Sequence, residues 1–209
     1  MPPSGLIEQL SAVSGLNVSR ETFDRLASYV DLLRNAAAQQ NLIAPSTVEK
    51  VWERHILDSA QLLRFAPKGG IWADIGSGAG LPGIVIAILS GNPITLIEPR
   101  RLRAEFLAGV AETIGLTNAT VECAKVERVR GQFDVITARA VAQLDRFLAM
   151  AQHLSKSGTV WVLPKGKNAQ SELAQAQLNW HCDAVVEQSC TDPESQILVL
   201  TRVGAKKKR

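Results

Sequence analysis

The spacing of apolar positions changes at about residue 70. Before that point it is helical. Phe23, Leu26, Ala27, Val30 and Leu33 follow a 3.6-residue period, and Ser19 stands where an N-cap belongs. The stretch 41–46, with Pro45, breaks the pattern. Thr47 is the next candidate cap, and Val48, Val51, Ile56, Leu57, Leu62 and Leu63 predict a helix or kinked helix as far as Phe65. Pro67-Lys68-Gly69-Gly70 then punctuates the chain. Beyond it, short apolar runs alternate with longer amphipathic ones. Residues 71–75, 94–97, 119–123, 133–137 and 159–163 read as strands; 81–90, 101–114 and 143–154 read as helices. Two later β-rich runs, 182–188 and 197–203, have the makings of a hairpin.

Alternating strands and helices predict an α/β fold: a mostly parallel seven-stranded sheet with right-handed crossovers, helices on both faces, and a helical N-terminal extension. The expected division is an extension over 1–65, a main domain over 66–204 and a basic tail over 205–209. Ligands of such sheets bind outside the carboxyl ends of the strands. The loops at 76–81, 98–100, 124–127 and 138–142 are therefore the expected walls of a site.

Composition narrows the choices. A chain of 209 residues, 46% hydrophobic and 21% charged, is an ordinary soluble globular sequence. Cys123, Cys182 and Cys190 form no C-x-x-C pair, and His55, His153 and His181 are scattered, so neither a disulfide framework nor a metal site is expected. Cys123 is expected to be a small buried hydrophobe. The start, Met1-Pro2-Pro3-Ser4-Gly5, lacks a basic, apolar signal pattern, and no apolar run approaches the ~20 residues that span a bilayer. A cytoplasmic protein is expected. With no evident interface helix, so is a monomer. The net charge of +3 is compatible with a nucleic-acid partner, and Lys206-Lys207-Lys208-Arg209 holds much of the excess.

The most informative stretch is Asp74-Ile75-Gly76-Ser77-Gly78-Ala79-Gly80-Leu81-Pro82-Gly83, placed between the first strand and a helix. Its glycines permit positive φ and a close ligand approach to the backbone. Two cofactors compete for it. Residues 78–83 match the dinucleotide pattern G-x-G-x-x-G. Yet Pro82 removes an amide where a pyrophosphate would sit, and Asp74 would place a carboxylate near that anion. S-adenosylmethionine carries an ammonium and a sulfonium, which a nearby carboxylate attracts. Glu98 ends the second strand 20 residues after Gly78, where a carboxylate accepts ribose hydroxyls in either case. Val126 and Glu127 follow the third strand, in the position of an adenine contact.

Taken together, the motifs resemble one family. Trp52-Glu53-Arg54-His55-Ile56-Leu57-Asp58-Ser59 precedes the glycine loop with its Gly80-Leu81-Pro82-Gly83 ending, and Thr137-Ala138-Arg139-Ala140-Val141-Ala142 and Lys165-Gly166 follow it. This is similar to the RsmG family, formerly glucose-inhibited division protein B, from about Asn41 to Lys167. The resemblance implies a Rossmann-like class I methyltransferase fold using S-adenosylmethionine. It also implies methylation of N7 of a guanine in the 530 loop of 16S rRNA, on rRNA or the small ribosomal subunit. The cofactor contacts it implies are Gly76, Leu81, Val126, Glu127 and Arg139, which join Asp74, Gly78 and Glu98.

Absences bear on the acceptor atom. The Asn/Asp-Pro-Pro-aromatic motif of exocyclic amine methylation is replaced by Thr137-Ala138-Arg139-Ala140. The cysteine nucleophile of pyrimidine C5 methylation has only Cys123 as a candidate, without a preceding Pro or Thr. Guanine N7 has a free lone pair and no proton to lose, so positioning alone, worth roughly 7–11 kcal/mol, needs no general base. Arg139 is the expected positioning residue. It would hold the cofactor carboxylate, guanine O6 or a phosphate, because N7 itself is the nucleophile. His55 and Asp58 share a helical face that would bridge the extension to the cofactor loop. Lys165, Lys167, Arg100 and Arg101 are candidate RNA contacts.

Overall fold

The structure is a computed structural model and describes residues 5–37 and 40–207. The readings of residues 1–4 and of Lys208-Arg209 lie outside those residues. The N-terminal part holds α1 (Leu6–Ser14), α2 (Arg20–Ala37), α3 (Pro45–Val48), a π-helical turn (Trp52–Leu57), α4 (Asp58–Ala60) and a 3-10 turn (Gln61–Phe65). The αβ part runs β1 (Trp72–Ile75), α5 (Gly83–Ser90), β2 (Ile94–Ile97), α6 (Arg101–Thr113), β3 (Ala119–Glu122), β4 (Phe133–Thr137), α7 (Leu144–Ala151), β5 (Ser155–Lys165), α8 (Ala169–Ala176), β6 (Trp180–Gln188) and β7 (Gln196–Ala205).

The seven strands form one sheet in the order β3-β2-β1-β4-β5-β7-β6. The first five pair in parallel, and β7 runs antiparallel to both β5 and β6. This is the mostly parallel seven-stranded sheet expected from the alternation, with the C-terminal hairpin at one edge, and it fits the fold that the family resemblance implies. No described helix is long and apolar enough to cross a membrane.

Side-chain alternation along the strands sorts the core into two layers. Trp72, Ile94, Leu96, Val135 and Val162 join Leu10, Leu26, Leu33, Ile56, Ile84 and Leu107 on one face. Ala73, Ile75, Ile136, Trp161 and Leu163 join Phe147, Leu148 and Ala176 on the other. The N-terminal helices thus share a core with β1, α5 and α6. Asp74 has the same parity as Trp72, so the sheet directs it under α5.

Several local expectations needed correction. The Ser19 hydroxyl does accept the Thr22 amide proton at 3.1 Å, capping α2. Thr47 caps nothing: its hydroxyl donates to Ala44 O at 2.8 Å, and α3 begins at Pro45 after Ala44. The run to Phe65 is a series of short α, π and 3-10 turns, which the apolar spacing could not resolve. Helix α5 starts at Gly83, not residue 81, because the Asp74 carboxylate takes the Gly83 amide and sets the first turn there. Helix α8 went unread: Ala169 and Ala176 are its only buried positions, and alanine gives little contrast in a pattern. Cys123 is exposed just past β3, so its reading as a buried hydrophobe is wrong.

Candidate active site

The glycine loop leaves the carboxyl end of β1, the middle one of the five parallel strands, and all four residues of β1 are buried. Gly76, Gly78 and Gly80 take φ of 70°, 55° and 92°, which non-glycine residues adopt at a cost. A Cβ on Gly80 would come within 2.5 Å of Ile84, and one on Gly83 would collide with Leu96 and meet the Asp74 carboxylate at 2.6 Å. Glycine at 83 is therefore what lets α5 close onto the strand.

Six of the seven amides between Gly76 and Gly83 are committed inward. Gly76 and Ser77 donate to Ile97 O at 2.8 and 3.2 Å, Gly80 and Leu81 to Ser77 O at 2.7 and 3.3 Å. Gly78 donates to Glu98 Oε2 at 2.9 Å and Gly83 to Asp74 Oδ2 at 3.0 Å. A pyrophosphate needs a cradle of free amides at such a turn. These six are spent, and two carboxylates stand behind them. The dinucleotide alternative loses on that ground, whereas a cationic ligand gains from the same carboxylates.

Asp74 is fully buried, so it supports the loop from beneath rather than lining an open surface. Its Oδ1 has no partner among the described residues. Burial pushes its pKa up to about 7, against the pull of the Ser77 and Gly83 hydrogen bonds and of Arg139, with Glu98 adding to the rise. Glu98, also buried, accepts from Gly78 through Oε2 and from the Arg100 amide at 2.8 Å through Oε1. Each oxygen keeps a lone pair for a further donor. Val126 is buried in a 3-10 turn, Val126–Arg128, just beyond β3, and Glu127 beside it is exposed. Leu81 is buried.

Tyr29 was not singled out by the sequence. Fully buried on α2, it donates its hydroxyl proton to Ala79 O at 2.9 Å and so ties the N-terminal helices to the glycine loop. Burial raises its pKa, with Arg139 opposing and Asp74 reinforcing the rise. At 50 residues' separation in sequence, no spacing could signal this contact.

Arg139 follows β4, on the loop that also carries Ala140 at a φ of 55°. Its guanidinium reaches back to the N-terminal segment. Nη1 lies 3.2 Å from His55 Nδ1 and 3.8 Å from Asp58 Oδ2. Burial lowers its pKa, while Asp58, Tyr29 and Asp74 raise it. The bridge expected of His55 and Asp58 thus forms, with Arg139 rather than the glycine loop as its far end. The loop is also pinned by Val141, whose Cγ2 would stand 2.7 Å from a Cβ on Gly76. Asp58 Oδ1 accepts from Gln61 Nε2 at 2.9 Å and Thr191 Oγ1 at 2.8 Å, which joins the same segment to the turn between β6 and β7.

A cleft of about 410 Å³ opens here, at the carboxyl ends of β4 and β5 and the start of β7. Asp58, Arg139, Val141, Lys165, Gln196 and Ile197 are among its walls. Lys165 lines it but is engaged, donating to Ala142 O at 3.1 Å and pairing with Glu172 at 2.8 Å. Lys167, Arg100 and Arg101 are exposed at the same end of the sheet, and Arg101 pairs along its helix with Glu105 at 2.9 Å. Lys206 donates to Gln177 O, so this part of the tail is anchored to the fold.

Comparison with known proteins agrees with this geometry. The chain is 46% identical over 204 residues to the ribosomal RNA small subunit methyltransferase G of Zymomonas mobilis, covering 93% of this chain and 92% of that protein. It is 46% identical over 189 residues to the protein of the same name from Novosphingobium aromaticivorans, covering 88% and 82%. Among solved structures, a SAM-dependent methyltransferase from Aquifex aeolicus superposes with a TM-score of 0.59 at 15% identity, covering 76% of this chain and 97% of that one; this likeness concerns the fold. The sequence model of the family described as rRNA small subunit methyltransferase G matches residues 22–198. The chain belongs to that family.

Proposed function

We propose that the protein transfers a methyl group from S-adenosylmethionine to small-subunit ribosomal RNA, at N7 of a guanine in the 530 loop of 16S rRNA. The observation that carries this reading is the glycine loop: six of its seven amides are satisfied within the chain while the carboxyl groups of Asp74 and Glu98 stand behind it. That suits a cationic methyl donor. Glu98 would accept the ribose hydroxyls, Val126 and Glu127 would meet the adenine, and Gly76, Gly78 and Leu81 would form the adjoining backbone wall. Asp74 would act through the loop and through its charge.

The donor supplies an electrophilic methyl on sulfur. In the transfer, the N7 lone pair forms the new N–C bond, the C–S bond breaks with its electrons passing to sulfur, and no proton needs a destination. The cleft fits a reaction without a general base. Asp58 already accepts from Gln61 and Thr191, and Glu172 from Lys165 and the Leu144 amide. Arg139 would orient the acceptor guanine or a phosphate beside it. Lys167, Arg100 and Arg101 would add attraction to RNA phosphate, with Lys165 on the wall of the cleft.

The test is twofold. Calorimetry should find affinity for S-adenosylhomocysteine and none for NADH; the reverse would sink the cofactor assignment. Labelled methyl should pass to small ribosomal subunits, with mass mapping placing it on a 530-loop guanine as the N7 product.

A further inference from the structure

We propose that His55 is a positioning residue for Arg139: its ring, fixed as the Nε2–H tautomer by Thr47, presents a bare Nδ1 that aims the guanidinium into the cleft. The two sides of the ring lead to this tautomer independently. On one side, an arginine has donors only, so Nδ1 at 3.2 Å from Arg139 Nη1 must be unprotonated. On the other, the Thr47 hydroxyl has one proton and directs it to Ala44 O at 2.8 Å. Toward His55 Nε2, also at 2.8 Å, Thr47 Oγ1 is left only as an acceptor, so Nε2 carries the hydrogen. The chain Arg139, His55, Thr47, Ala44 is therefore satisfied throughout by one arrangement of protons.

Distance separates the roles of the two groups facing Arg139. Asp58 Oδ2, at 3.8 Å, is beyond hydrogen-bond reach and supplies charge without direction. Its Oδ1 is held by Gln61 and Thr191. His55 alone of the two offers an acceptor within bonding distance. Burial, with the Arg139 and Arg54 charges, also lowers the His55 pKa to about 4 against an opposing hydrogen bond to the Arg54 backbone, so the ring is neutral at neutral pH. Thr47, on α3, thereby influences a cleft-lining residue without touching it.

The kinetic part of this inference rests on the proposed methyl transfer; the tautomer does not. Ring nitrogen NMR of the full chain, with His55→Leu to assign the signal, should show His55 as the Nε2–H tautomer, and Arg139→Ala should move its Nδ1 resonance. A predominant Nδ1–H form overturns the proposal, even if no substrate is methylated. In transfer assays with small ribosomal subunits, His55→Leu should lower kcat by roughly 30-fold, with S-adenosylhomocysteine affinity held within about threefold. Thr47→Val should lower it by about threefold, and serves as the probe if His55→Leu folds poorly. His55→Asn, whose side-chain oxygen falls near the Nδ1 position, should recover most of the loss. In an Arg139→Ala background, His55→Leu should cost less than about twofold more. Additive losses would overturn the proposal. A wild-type protein that transfers no methyl would instead count against the proposed function.

Discussion

The two halves of the candidate site are built in different ways. The glycine loop is closed by neighbours: the carboxylates that hold it, Asp74 and Glu98, lie at most 20 residues from the amides they accept. Arg139 is aimed from a distance by His55 and attracted by the charge of Asp58, both more than 80 residues earlier. The first half is a strand-end turn whose geometry follows from its own glycines. The second exists only because the N-terminal helices dock on the sheet. A defect in the His55–Asp58 segment should therefore reach the acceptor side first and leave donor affinity largely in place.

That contrast can be broken by substitution. The largest effect should come from Gly83→Ala, whose Cβ meets Leu96 and Asp74 between α5 and β1. Overpacking there should destabilise by about 3 kcal/mol and abolish donor binding, measured by thermal unfolding and calorimetry. Full stability in this variant would mean that α5 tilts away freely. Next, Arg139→Ala should reduce methyl transfer by roughly 100-fold, as expected when a positioning group is lost. Its S-adenosylhomocysteine affinity should stay within about threefold, because the cleft that Arg139 lines has no glycine-loop residue among its walls; a loss of affinity as large as the loss of rate would erase the distinction between the halves.

Asp74→Asn separates charge from geometry, because an amide oxygen still accepts from Gly83. Above pH 7, where the Asp74 carboxyl is ionised, donor affinity should fall by about tenfold, the equivalent of one lost charge–charge attraction of ~1.4 kcal/mol. Unchanged affinity would leave Asp74 a purely structural cap. Tyr29→Phe removes the hydroxyl that reaches Ala79 O. It should cost about 1 kcal/mol of stability and, unlike Arg139→Ala, weaken donor binding more than turnover. Of the variants considered, this is the one through which the N-terminal helices should perturb the donor half.

The pH dependence should be the smallest effect and should carry both signs. His55 has a folded pKa of about 4 against an ordinary 6.5. Its contribution to stability is present above 6.5 and is lost as pH falls from there through 4. Asp74 has a folded pKa of about 7 against an ordinary 3.8. Its contribution is fully present below 3.8 and is lost as pH rises through 7. Between about pH 4 and 6.5 the two oppose each other, so the wild-type curve should be flat there. Chemical denaturation across that range should uncover a slope of one sign in His55→Leu and of the other in Asp74→Asn. Identical curves for all three proteins would mean neither group is linked to folding.

The legible part of the fold was the part with a period. The strands β1 to β5, with α5 to α7 between them, came from apolar spacing, and the C-terminal pairing from two β-rich runs. Where the sequence packs irregular turns, as over 45–65, periodicity failed, because short α, π and 3-10 turns share too few residues to repeat. In the site, the glycines and both carboxylates stood out through their spacing around strand ends. Tyr29, Gly83 as the close-contact glycine, and Thr47 beneath His55 did not. A hydroxyl that bonds one carbonyl 50 residues away leaves no local trace.

The order of apolar and polar residues, with glycines at one strand end, was enough to determine a mostly parallel sheet and the place of its glycine turn, and pointed to a charged carboxylate behind that turn. Those follow from forces between near neighbours: side-chain alternation, backbone freedom and charge. Which nitrogen of His55 faces Arg139, which residues wall the cleft and how the N-terminal helices grip the glycine loop were decided only when distant segments packed together. Burial and hydrogen-bond direction depend on what comes from the rest of the chain, and that is a property of the folded whole.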